Sequence, residues 1–197
     1  MTGKGSLNHN SRKFHAKNTD PNRTHWNVEY CNEDIKDVYH ELFDEALKRY
    51  NDKQTRKDRK IDDYYEKIRS GKQEKLFHEV ILQIGDKDNM GSETMEGQLA
   101  AKILDEYMKG FQERNPTLRV FAAHLHLDEA TPHLHIDFIP YVTGSKRGLD
   151  TRVSLKQALS SLGFKGGSRS ETELNQWVQS EKEKLAMVMR GNEIEWD

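Results

Sequence analysis

The stretch from residue 118 to 142 constrains the fold of this 197-residue chain more than any other. Two apolar runs, 118–127 and 133–142, are separated only by the short polar segment 128–132. Polar and apolar residues alternate at the start of the second run (His-Leu-His-Ile-Asp-Phe), which is the period of a strand with one buried face. A connection this short joins antiparallel neighbours. The stretch therefore predicts a β-hairpin.

The spacing of apolar residues elsewhere predicts further strands and several helices. The predicted strands are 25–31 and 76–84. The predicted helices are an amphipathic one capped by Asn32, a charged surface helix over 51–75, a long helix over 93–114, and two with capping boxes that begin at Ser154 and Ser170. This order of elements predicts an α+β fold in which helices back an antiparallel sheet.

Composition excludes several classes of protein. The single cysteine, Cys31, excludes an internal disulfide and a multi-cysteine metal site, which fits a reducing cytoplasm. No stretch approaches the roughly 18–20 apolar residues that span a bilayer, and the N-terminus lacks the apolar core of a secretion signal. The net charge is only −2, but basic residues concentrate in 53–75 and 144–170. The balance of charge alone indicates no partner.

The hairpin concentrates residue types that bind metals. Because strand side chains alternate, His133 and His135 share one face, as do His124 and His126. Antiparallel pairing brings His126 beside His133 and His135, and Glu129 reaches them from the turn. Such a set, with room for a further ligand, is typical of a catalytic rather than a closed structural site. The sequence predicts metal binding by His126, His133 and His135, and a supporting role for His124.

Two motifs are similar to those of one enzyme family. The string HLDEATPHLH resembles the metal motif of HUH endonucleases, specifically of the Mob/Pre (MobV-type) plasmid mobilisation and recombination relaxases. Upstream, the His9-Asn-x-Arg12 motif and the pattern N-x-D-P-x-R-x-H-x-N over 18–27 are similar to that family's N-terminal pattern. Together the motifs cover roughly residues 9–140 in the family's order.

The resemblance implies a ferredoxin-like sheet with the metal hairpin at its centre and Mn²⁺ or Mg²⁺ as the working ion. It implies nicking and rejoining of one strand of single-stranded or supercoiled origin DNA through a covalent protein–DNA intermediate. The metal ligands would be His126, His133 and His135. The resemblance also implies a bacterial cytoplasm and contact with the conjugation machinery, whereas nothing in this stretch predicts a membrane contact.

The resemblance also assigns roles outside the three histidines. His9 would be the nucleophile, and Glu129 would be a fourth ligand or a general base. Arg12 and Arg23 would contact phosphates. An alternative nucleophile is the tyrosine pair Tyr64-Tyr65, since paired tyrosines serve other HUH enzymes, and Tyr30 and Tyr39 are further alternatives. Helical spacing instead indicates that the pair packs beside Ile61 and Ile68.

The whole chain, 1–197, is predicted to form one relaxase domain. Residues 1–23 would be an arm that carries the nucleophile, and 144–197 would be a basic, helical extension. Phosphate-backbone contacts are predicted for three cations after the hairpin, namely Lys146, Arg147 and Arg152. Trp26 and Trp177 are predicted to pack in the core, with stacking on extruded bases as the alternative.

Three other functions stay open on the sequence. A rolling-circle replication initiator shares the metal hairpin but uses a tyrosine. A three-histidine metal oxygenase or hydrolase would lack the basic flanks and the N-terminal motif. A non-catalytic DNA-binding module would hold an inert metal and never form a covalent adduct.

Overall fold

A computed structural model describes residues 2–3 and 5–192, and the predictions for residues 1, 4 and 193–197 lie outside the described part. The described residues form six strands and seven α-helices. In chain order the elements are β1 (Thr2–Gly3), α1 (Leu7–Asn10), β2 (Val28–Asn32), α2 (Ile35–Asp52), α3 (Tyr64–Ser70), β3 (His78–Gln83), α4 (Met95–Lys109), α5 (Phe111–Arg114), β4 (Leu118–His126), β5 (His133–Val142), β6 (Arg152–Val153), α6 (Leu155–Ser161) and α7 (Glu173–Gly191).

The sheet is antiparallel, and the predicted hairpin lies at its centre. The strand order is β1-β3-β5-β4-β2, and β6 pairs with the last residues of β5. In the β4–β5 register, His126 lies opposite His133 and His124 opposite His135. Both strands are hydrogen-bonded on both sides, which fixes their side chains in position. The predicted α+β fold with a central hairpin is confirmed.

One face of the sheet is largely apolar. Leu134, Ile136 and Phe138 project from this face of β5 and are at most 1% exposed. They belong to a core cluster that includes residues of α4, α5, α6 and α7. Trp177 of α7 is buried in this cluster and donates its Nε1–H to Asn115 Oδ1 at 2.9 Å. Its predicted core position is therefore confirmed, and the packing holds the hairpin from behind.

The opposite face is divided in two. Toward the end of β5 away from the hairpin turn, Ile139 packs with Phe121 and with α2 and α3 in a second apolar cluster. Nearer the turn, the same face carries histidines and carboxylates. Residues 5–27, referred to below as the arm, lie over this polar half and hydrogen-bond to it. The polar residues that the arm covers therefore form a chamber next to the second apolar cluster. This chamber is called the polar chamber below.

Several predicted element boundaries were wrong, and local hydrogen bonds explain them. The first 23 residues contain β1 and α1 rather than only loop. The N-cap of α2 is Asp34, whose side chain accepts from two backbone N–H groups, instead of Asn32. Gly110 separates α4 from α5, so 93–114 is not one helix. Ser154 caps α6 as predicted, but the N-cap of α7 is Thr172 rather than Ser170.

The predicted surface helix over 51–75 was also mostly wrong. Only Tyr64–Ser70 is α-helical, because Asp63 caps a new start by accepting from Glu66 N–H. The segment before it is fastened to α2 by Asn51, whose side-chain amide donates to Ile61 O at 2.7 Å and accepts from Ile61 N at 2.9 Å. Among the described residues, no helix is long and apolar enough to cross a membrane.

Candidate metal centre

Three histidines of the hairpin converge on one point, as the sequence predicts. His126 ends β4, His133 begins β5, and His135 projects from the same face of β5. One ring nitrogen from each lies within 4.8 Å of the others. The register of two central strands therefore builds this cluster.

Each ring uses its other nitrogen to hold itself in place. His126 Nε2–H donates to Asn10 O at 2.8 Å, and His133 Nδ1–H donates to Thr131 O at 2.9 Å. His135 Nδ1–H donates to the Glu79 carboxylate at 3.2 Å. Carbonyls and carboxylates only accept, so the lone pairs are left on His126 Nδ1, His133 Nε2 and His135 Nε2. Outer hydrogen bonds of this kind fix the tautomer and orientation of metal-ligating histidines.

The cluster fits a divalent metal on two further observations. His126 Nδ1 and His135 Nε2 are buried and make no hydrogen bond among the described residues. Buried polar atoms are normally satisfied, so these two lack the partner that an ion would supply. Burial lowers the pKa of His126 to about 3 and also lowers the pKa of His135. Both rings are therefore neutral at physiological pH, which is the form that binds metals.

A buried carboxylate pair lies beneath the cluster. Glu79 of β3 pairs with Asp137 of β5 in the register, and Asn10 Nδ2–H donates to Glu79 at 2.5 Å and to Asp137 at 3.1 Å. Burial and the charge of Glu79 raise the pKa of Asp137 far above its usual value. For Glu79, hydrogen bonds from His135 and Asn10 outweigh burial and lower the pKa. At neutral pH the pair therefore carries about one negative charge.

The arm is fastened to the hairpin turn through Arg12 and Asp128. The Arg12 guanidinium donates to both oxygens of Asp128, at 2.6 and 2.9 Å, and to Glu129 Oε1 at 2.8 Å. Burial raises the pKa of Asp128, but the hydrogen bonds from Arg12 outweigh burial and hold it well below its usual range. Arg12 has φ +54, the only positive φ among the described non-glycine residues. Strain of this kind persists where surrounding contacts impose it.

Further contacts extend this fastening along the arm. Thr24 Oγ1–H donates to Asp128 at 3.1 Å, and Asp20 N–H donates to Asp128 O at 2.7 Å. Asn27 Oδ1 accepts from the backbone N–H of Leu127 at 2.7 Å. The arm therefore follows the turn from Arg12 to Asn27.

His9 lies at the edge of the cluster. Its ring centroid is 5.9 Å from that of His126 and 6.5 Å from that of His135. His9 Nε2 lies 3.2 Å from Arg12 NH1 and 3.4 Å from Glu129 Oε1, and the side chain is 23% exposed. Because a guanidinium only donates, Nε2 carries the lone pair and the ring proton is on Nδ1. The structure therefore brings the predicted nucleophile to the predicted metal site with its lone pair inside the site.

Glu129 contacts both the arm and the cluster. Oε1 accepts from Arg12, and Oε2 accepts from Asn18 Nδ2–H at 2.8 Å. Oε2 also lies 3.4 Å from His133 Nε2. Burial raises the pKa of Glu129, but the hydrogen bond and the charge of Arg12 oppose burial and lower it. The carboxylate is therefore ionised and engaged at both oxygens.

Two other predicted residues lie near the centre but point away from it. Arg23 donates to Asp20 at 3.1 Å and to Leu127 O at 3.2 Å, and its side chain is 15% exposed. His124 is buried against β2 and donates Nε2–H to Glu29 at 3.0 Å. Neither belongs to the converging nitrogens.

The remaining candidates lie at the other end of the sheet. Arg152 lies opposite Val142 at the end of β5, and Lys146 and Arg147 are exposed in the preceding loop. At about 3.4 Å per residue, β5 runs roughly 24 Å from His135 to Val142. These three cations therefore lie far from the converging histidines.

The rival tyrosines are also remote from the centre or engaged in packing. Tyr64 packs on Phe43, and its hydroxyl accepts from Val153 N–H at 3.0 Å. Tyr65 packs on Tyr39, whose hydroxyl donates to Leu76 O. Tyr30 donates to Asp105 at 2.6 Å. The structure brings none of them to the histidines.

Sequence reasoning missed several residues of the site. Glu79 lies in a predicted strand, but only the β3–β5 register shows that it faces His135. Asn18 sits in the second motif without an assigned role. Phe14 and Trp26 are 51% and 41% exposed, so the predicted core position of Trp26 was wrong. Phe14 lies beside His9, with ring centroids 5.9 Å apart.

Comparisons with known proteins agree on one family. The Mob_Pre profile, described as plasmid recombination enzyme, matches residues 5–193. A Mn-bound crystal structure of the MobM relaxase domain (MOBV; Mob_Pre) with a 22-nucleotide oriT DNA of plasmid pMV158, at pH 5.5, is 26% identical in sequence with a TM-score of 0.53. The match covers 97% of this chain and 80% of that chain.

A second structure of the same domain, at pH 6.8 with 3′-thiophosphate DNA, is 23% identical with a TM-score of 0.50. It covers the same 97% of this chain and 80% of that chain. A search of curated protein sequences finds no match. The predicted family and the predicted enzymatic class are confirmed, and the chain belongs to the Mob_Pre family of plasmid recombination enzymes.

Proposed function

We propose that this protein nicks and rejoins one strand of DNA at a plasmid or mobile-element transfer origin, with His9 as the nucleophile. The observation that carries the proposal is the position of His9, because one of its ring nitrogens lies within 4.8 Å of a ring nitrogen of His126 and of a carboxylate oxygen of Glu129. A nucleophile and a metal centre that share one chamber are what phosphoryl transfer to a side chain requires.

In the proposed reaction His9 Nε2 attacks the scissile phosphorus. A P–N bond forms as the bond from phosphorus to the 3′ oxygen breaks, and the 3′ oxygen takes up a proton from solvent. The cut strand is then held covalently on the protein through its 5′-phosphate end, and the other end carries a free 3′ hydroxyl. Attack by a 3′ hydroxyl reverses the step and releases His9, so rejoining needs no external energy source.

Arg12 and Glu129 would position this nucleophile. Arg12 donates from NH1 to His9 O at 2.9 Å and faces His9 Nε2, so it sets the ring in place from two sides. With Nε2 as the acceptor that faces Arg12, Glu129 beside Nε2 has no proton to remove there. These contacts favour Glu129 as a fourth ligand over a base, and Arg12 as a positioning residue over a direct phosphate contact. Arg23, engaged by Asp20, would likewise steady the arm.

His126, His133 and His135 would hold the metal. When bound, Mn²⁺ or Mg²⁺ polarises the phosphate and stabilises charge on its oxygens. The similar MobM relaxase domain is Mn-bound, which supports Mn²⁺ for this chain. The outer hydrogen bonds of the three rings orient one nitrogen of each toward the others before any ion binds.

The exposed aromatic residues of the arm suggest how DNA enters. Phe14 and Trp26 present large apolar surface to solvent near the chamber. Base stacking on such side chains contributes about 1–3 kcal/mol per base in single-stranded complexes. We therefore propose that Trp26 stacks on an extruded base, which is the alternative role predicted from the sequence. Phe14 would have the same role. The strand next to the nick would be single-stranded.

A basic groove at the far end of the sheet would bind the DNA backbone away from the nick. It has a volume of about 400 Å³ and includes Arg59, Lys60, Lys67 and Arg152 in its lining. In the described part of the chain, Arg59, Lys60 and Lys67 form no ion pair. Two basic segments distant in sequence thus meet in one groove, next to the loop of Lys146 and Arg147. Binding there would extend the contact with origin DNA roughly 24 Å from the nick.

The salt dependence of binding to a 20-base-pair duplex tests this groove. In the double variant Lys60→Gln/Lys67→Gln, the slope of log affinity against log salt becomes shallower by about 2, since each phosphate contact contributes about 0.9. The pair Lys182→Gln with Lys184→Gln on α7 is the matched control and leaves the slope unchanged. An unchanged slope in both pairs would exclude the groove as a backbone contact.

The proposed unit is the whole chain, 1–197, acting in a bacterial cytoplasm. The arm would supply the nucleophile, and the segment from residue 144 onward would supply basic contacts. The arm forms contacts with Asp128 and Glu129 throughout, which supports its assignment to the same unit as the hairpin. A partner in the conjugation machinery remains part of this proposal.

A nicking assay tests the function directly. The substrate is supercoiled plasmid carrying the region that flanks this protein's own gene, incubated with Mn²⁺ or with EDTA. The native protein, His9→Ala and His133→Ala are compared with His15→Ala, an exposed histidine of the arm, as the matched control. We expect nicked circles and a denaturant-resistant protein–DNA adduct only with Mn²⁺, lost in His9→Ala and His133→Ala and retained in His15→Ala.

Other outcomes identify the alternatives. An adduct that persists in His9→Ala but not in His133→Ala would move the nucleophile to a tyrosine, as in a rolling-circle initiator. DNA binding without a nick under any divalent metal would indicate a non-catalytic module. Metal-dependent chemistry on a substrate other than DNA would indicate the oxygenase or hydrolase class.

A further inference from the structure

The proposed nucleophile also lies close to one of the three proposed metal ligands, His126. His9, His126 and Glu129 form a second group whose candidate ligand atoms lie within 4.8 Å of one another. His126 belongs both to this group and to the three-histidine group. The two groups therefore overlap and describe one centre with a fourth nitrogen at its edge.

We propose that His9 makes the centre discriminate between metals in the DNA-free protein: Zn²⁺ recruits His9 as a fourth nitrogen ligand and masks the nucleophile, whereas Mn²⁺ leaves His9 free. This inference rests on the proposed function, because it uses the same three ligands and the same nucleophile. It adds a regulatory property that the hairpin alone does not have.

Coordination preference gives the physical reason. Zn²⁺ favours four ligands in a tetrahedron and binds imidazole nitrogen well, so with Zn²⁺ the fourth position beside three histidines would go to His9 in place of Glu129. Harder ions such as Mn²⁺ favour oxygen ligands and six positions, which phosphate and water supply better than a fourth imidazole. The Zn²⁺ affinity of a given site also exceeds its Mn²⁺ affinity in the usual order of divalent metals. A four-histidine set is closed, so Zn²⁺ held in this way leaves no position for the substrate.

The position of His9 permits the required movement. Neighbouring ligands of a tetrahedral Zn²⁺ lie about 3.4 Å apart, given Zn–N distances near 2.1 Å. His9 is partly exposed and lies on the four-residue helix α1. The triad, in contrast, is fixed by the sheet. His9 can therefore move toward the triad without disturbing β4 or β5.

Metal affinity in the absence of DNA tests the inference. A chromophoric chelator competes for Zn²⁺ or Mn²⁺ with the native protein, with His9→Ala and with the control His15→Ala. We expect His9→Ala to weaken Zn²⁺ binding at least about tenfold, the lower end of what even an outer contact contributes, and to leave Mn²⁺ binding within about threefold. His15→Ala leaves both affinities unchanged.

A second measurement follows His9 itself. Diethyl pyrocarbonate modifies accessible imidazoles, and mass spectrometry gives the modified fraction of each histidine. Zn²⁺ should protect His9 in the native protein, while Mn²⁺ at saturating concentration leaves it reactive. His15 serves as the internal control.

The outcomes separate this inference from the proposed function. If Zn²⁺ affinity is unchanged in His9→Ala and both ions leave His9 equally reactive, the masking idea is wrong while the metal centre stands. If neither ion binds the native protein, or His133→Ala retains full affinity, the metal centre itself is wrong. Equal losses for both ions in His9→Ala would make His9 an ordinary ligand without discrimination.

Discussion

The β4–β5 hairpin and the N-terminal arm face each other across the candidate metal centre, but different interactions hold them. The hairpin is hydrogen-bonded to β2 and β3 on either side, and its apolar face packs against four helices. The arm contributes only the four-residue helix α1 and a three-residue 3-10 helix, Thr24–Trp26. Its position depends on side-chain contacts to Asp128, Glu129 and Glu79.

This difference separates two properties of the site. The three histidines belong to the hairpin and keep their geometry as long as the sheet is folded. His9 belongs to the arm and keeps its geometry only while Arg12 and its neighbours are engaged. Metal binding and nucleophile placement are therefore distinct, and a substitution can remove one without the other.

The largest effect is expected from Asp128→Asn, which releases the arm. Asn keeps the shape of the side chain but loses the negative charge that binds the Arg12 guanidinium. Its amide NH₂ group would also be a donor placed against the N–H donors of Arg12. Since a displacement of about 1 Å can reduce a reaction about 100-fold, we expect nicking to fall about 100-fold. Mn²⁺ affinity stays within about threefold because the triad is untouched.

The nicking rate at saturating Mn²⁺ and a Mn²⁺ titration measure the two properties separately. Asp44→Asn on α2, an exposed carboxylate far from the arm, is the matched control. A parallel loss of Mn²⁺ affinity and nicking in Asp128→Asn would mean that hairpin and arm form one cooperative unit.

A smaller effect is expected from Glu79→Gln, and it falls on metal affinity rather than on nicking at saturating metal. Glu79 accepts from His135 and Asn10, and loss of its charge weakens the hold on the His135 ring. Outer partners of this kind contribute about 10- to 100-fold in metal affinity, so Mn²⁺ binding should weaken by about tenfold. Nicking at saturating Mn²⁺ should recover to within about threefold. If nicking stays low at saturating Mn²⁺, Glu79 acts by positioning the arm rather than the metal ligands.

The same contrast explains which features the sequence could predict. Strand alternation and a short turn suffice to place His126, His133 and His135 together, because sheet geometry depends on local pattern. The fold class followed from the order of the patterns. The arm has no periodic pattern, and its fold depends on pairs such as Arg12 with Asp128, which are distant in sequence.

Other features could not be predicted for a related reason. Glu79 required the register between strands that are far apart in the chain. The break at Gly110 and the cap at Thr172 are decided by competition among nearby groups of similar strength. Trp26 was expected in the core because tryptophan is usually buried, yet it is exposed beside the site. The motif resemblance located His9 where periodicity could not.

The smallest effect concerns pH and again distinguishes sheet from arm. His78 of β3 packs on Phe138, and burial, followed by Lys75, lowers its pKa to about 4. The unfolded chain binds a proton at His78 below about pH 6.5 and the folded chain does not, so stability falls as pH drops from about 6.5 to about 4. The carboxylates that hold the arm have lowered pKa values, so their contribution is present above about pH 4 and is lost only below it.

Mild acid should therefore weaken the sheet before it releases the arm. His78→Phe keeps the ring contact with Phe138 and removes the titration, and we expect it to be about 2 kcal/mol more stable relative to the native protein at pH 5 than at pH 7. Urea unfolding of the metal-free proteins at both pH values measures this difference. The control His40→Phe alters an exposed histidine whose pKa is raised by Asp44, so its effect has the opposite sign. Hydrogen exchange of residues 5–27 should be unchanged between pH 7 and pH 5 after correction for intrinsic rates. Arm exchange that rises at pH 5 while the sheet stays protected would show that acid acts on the arm before the sheet and would contradict this prediction.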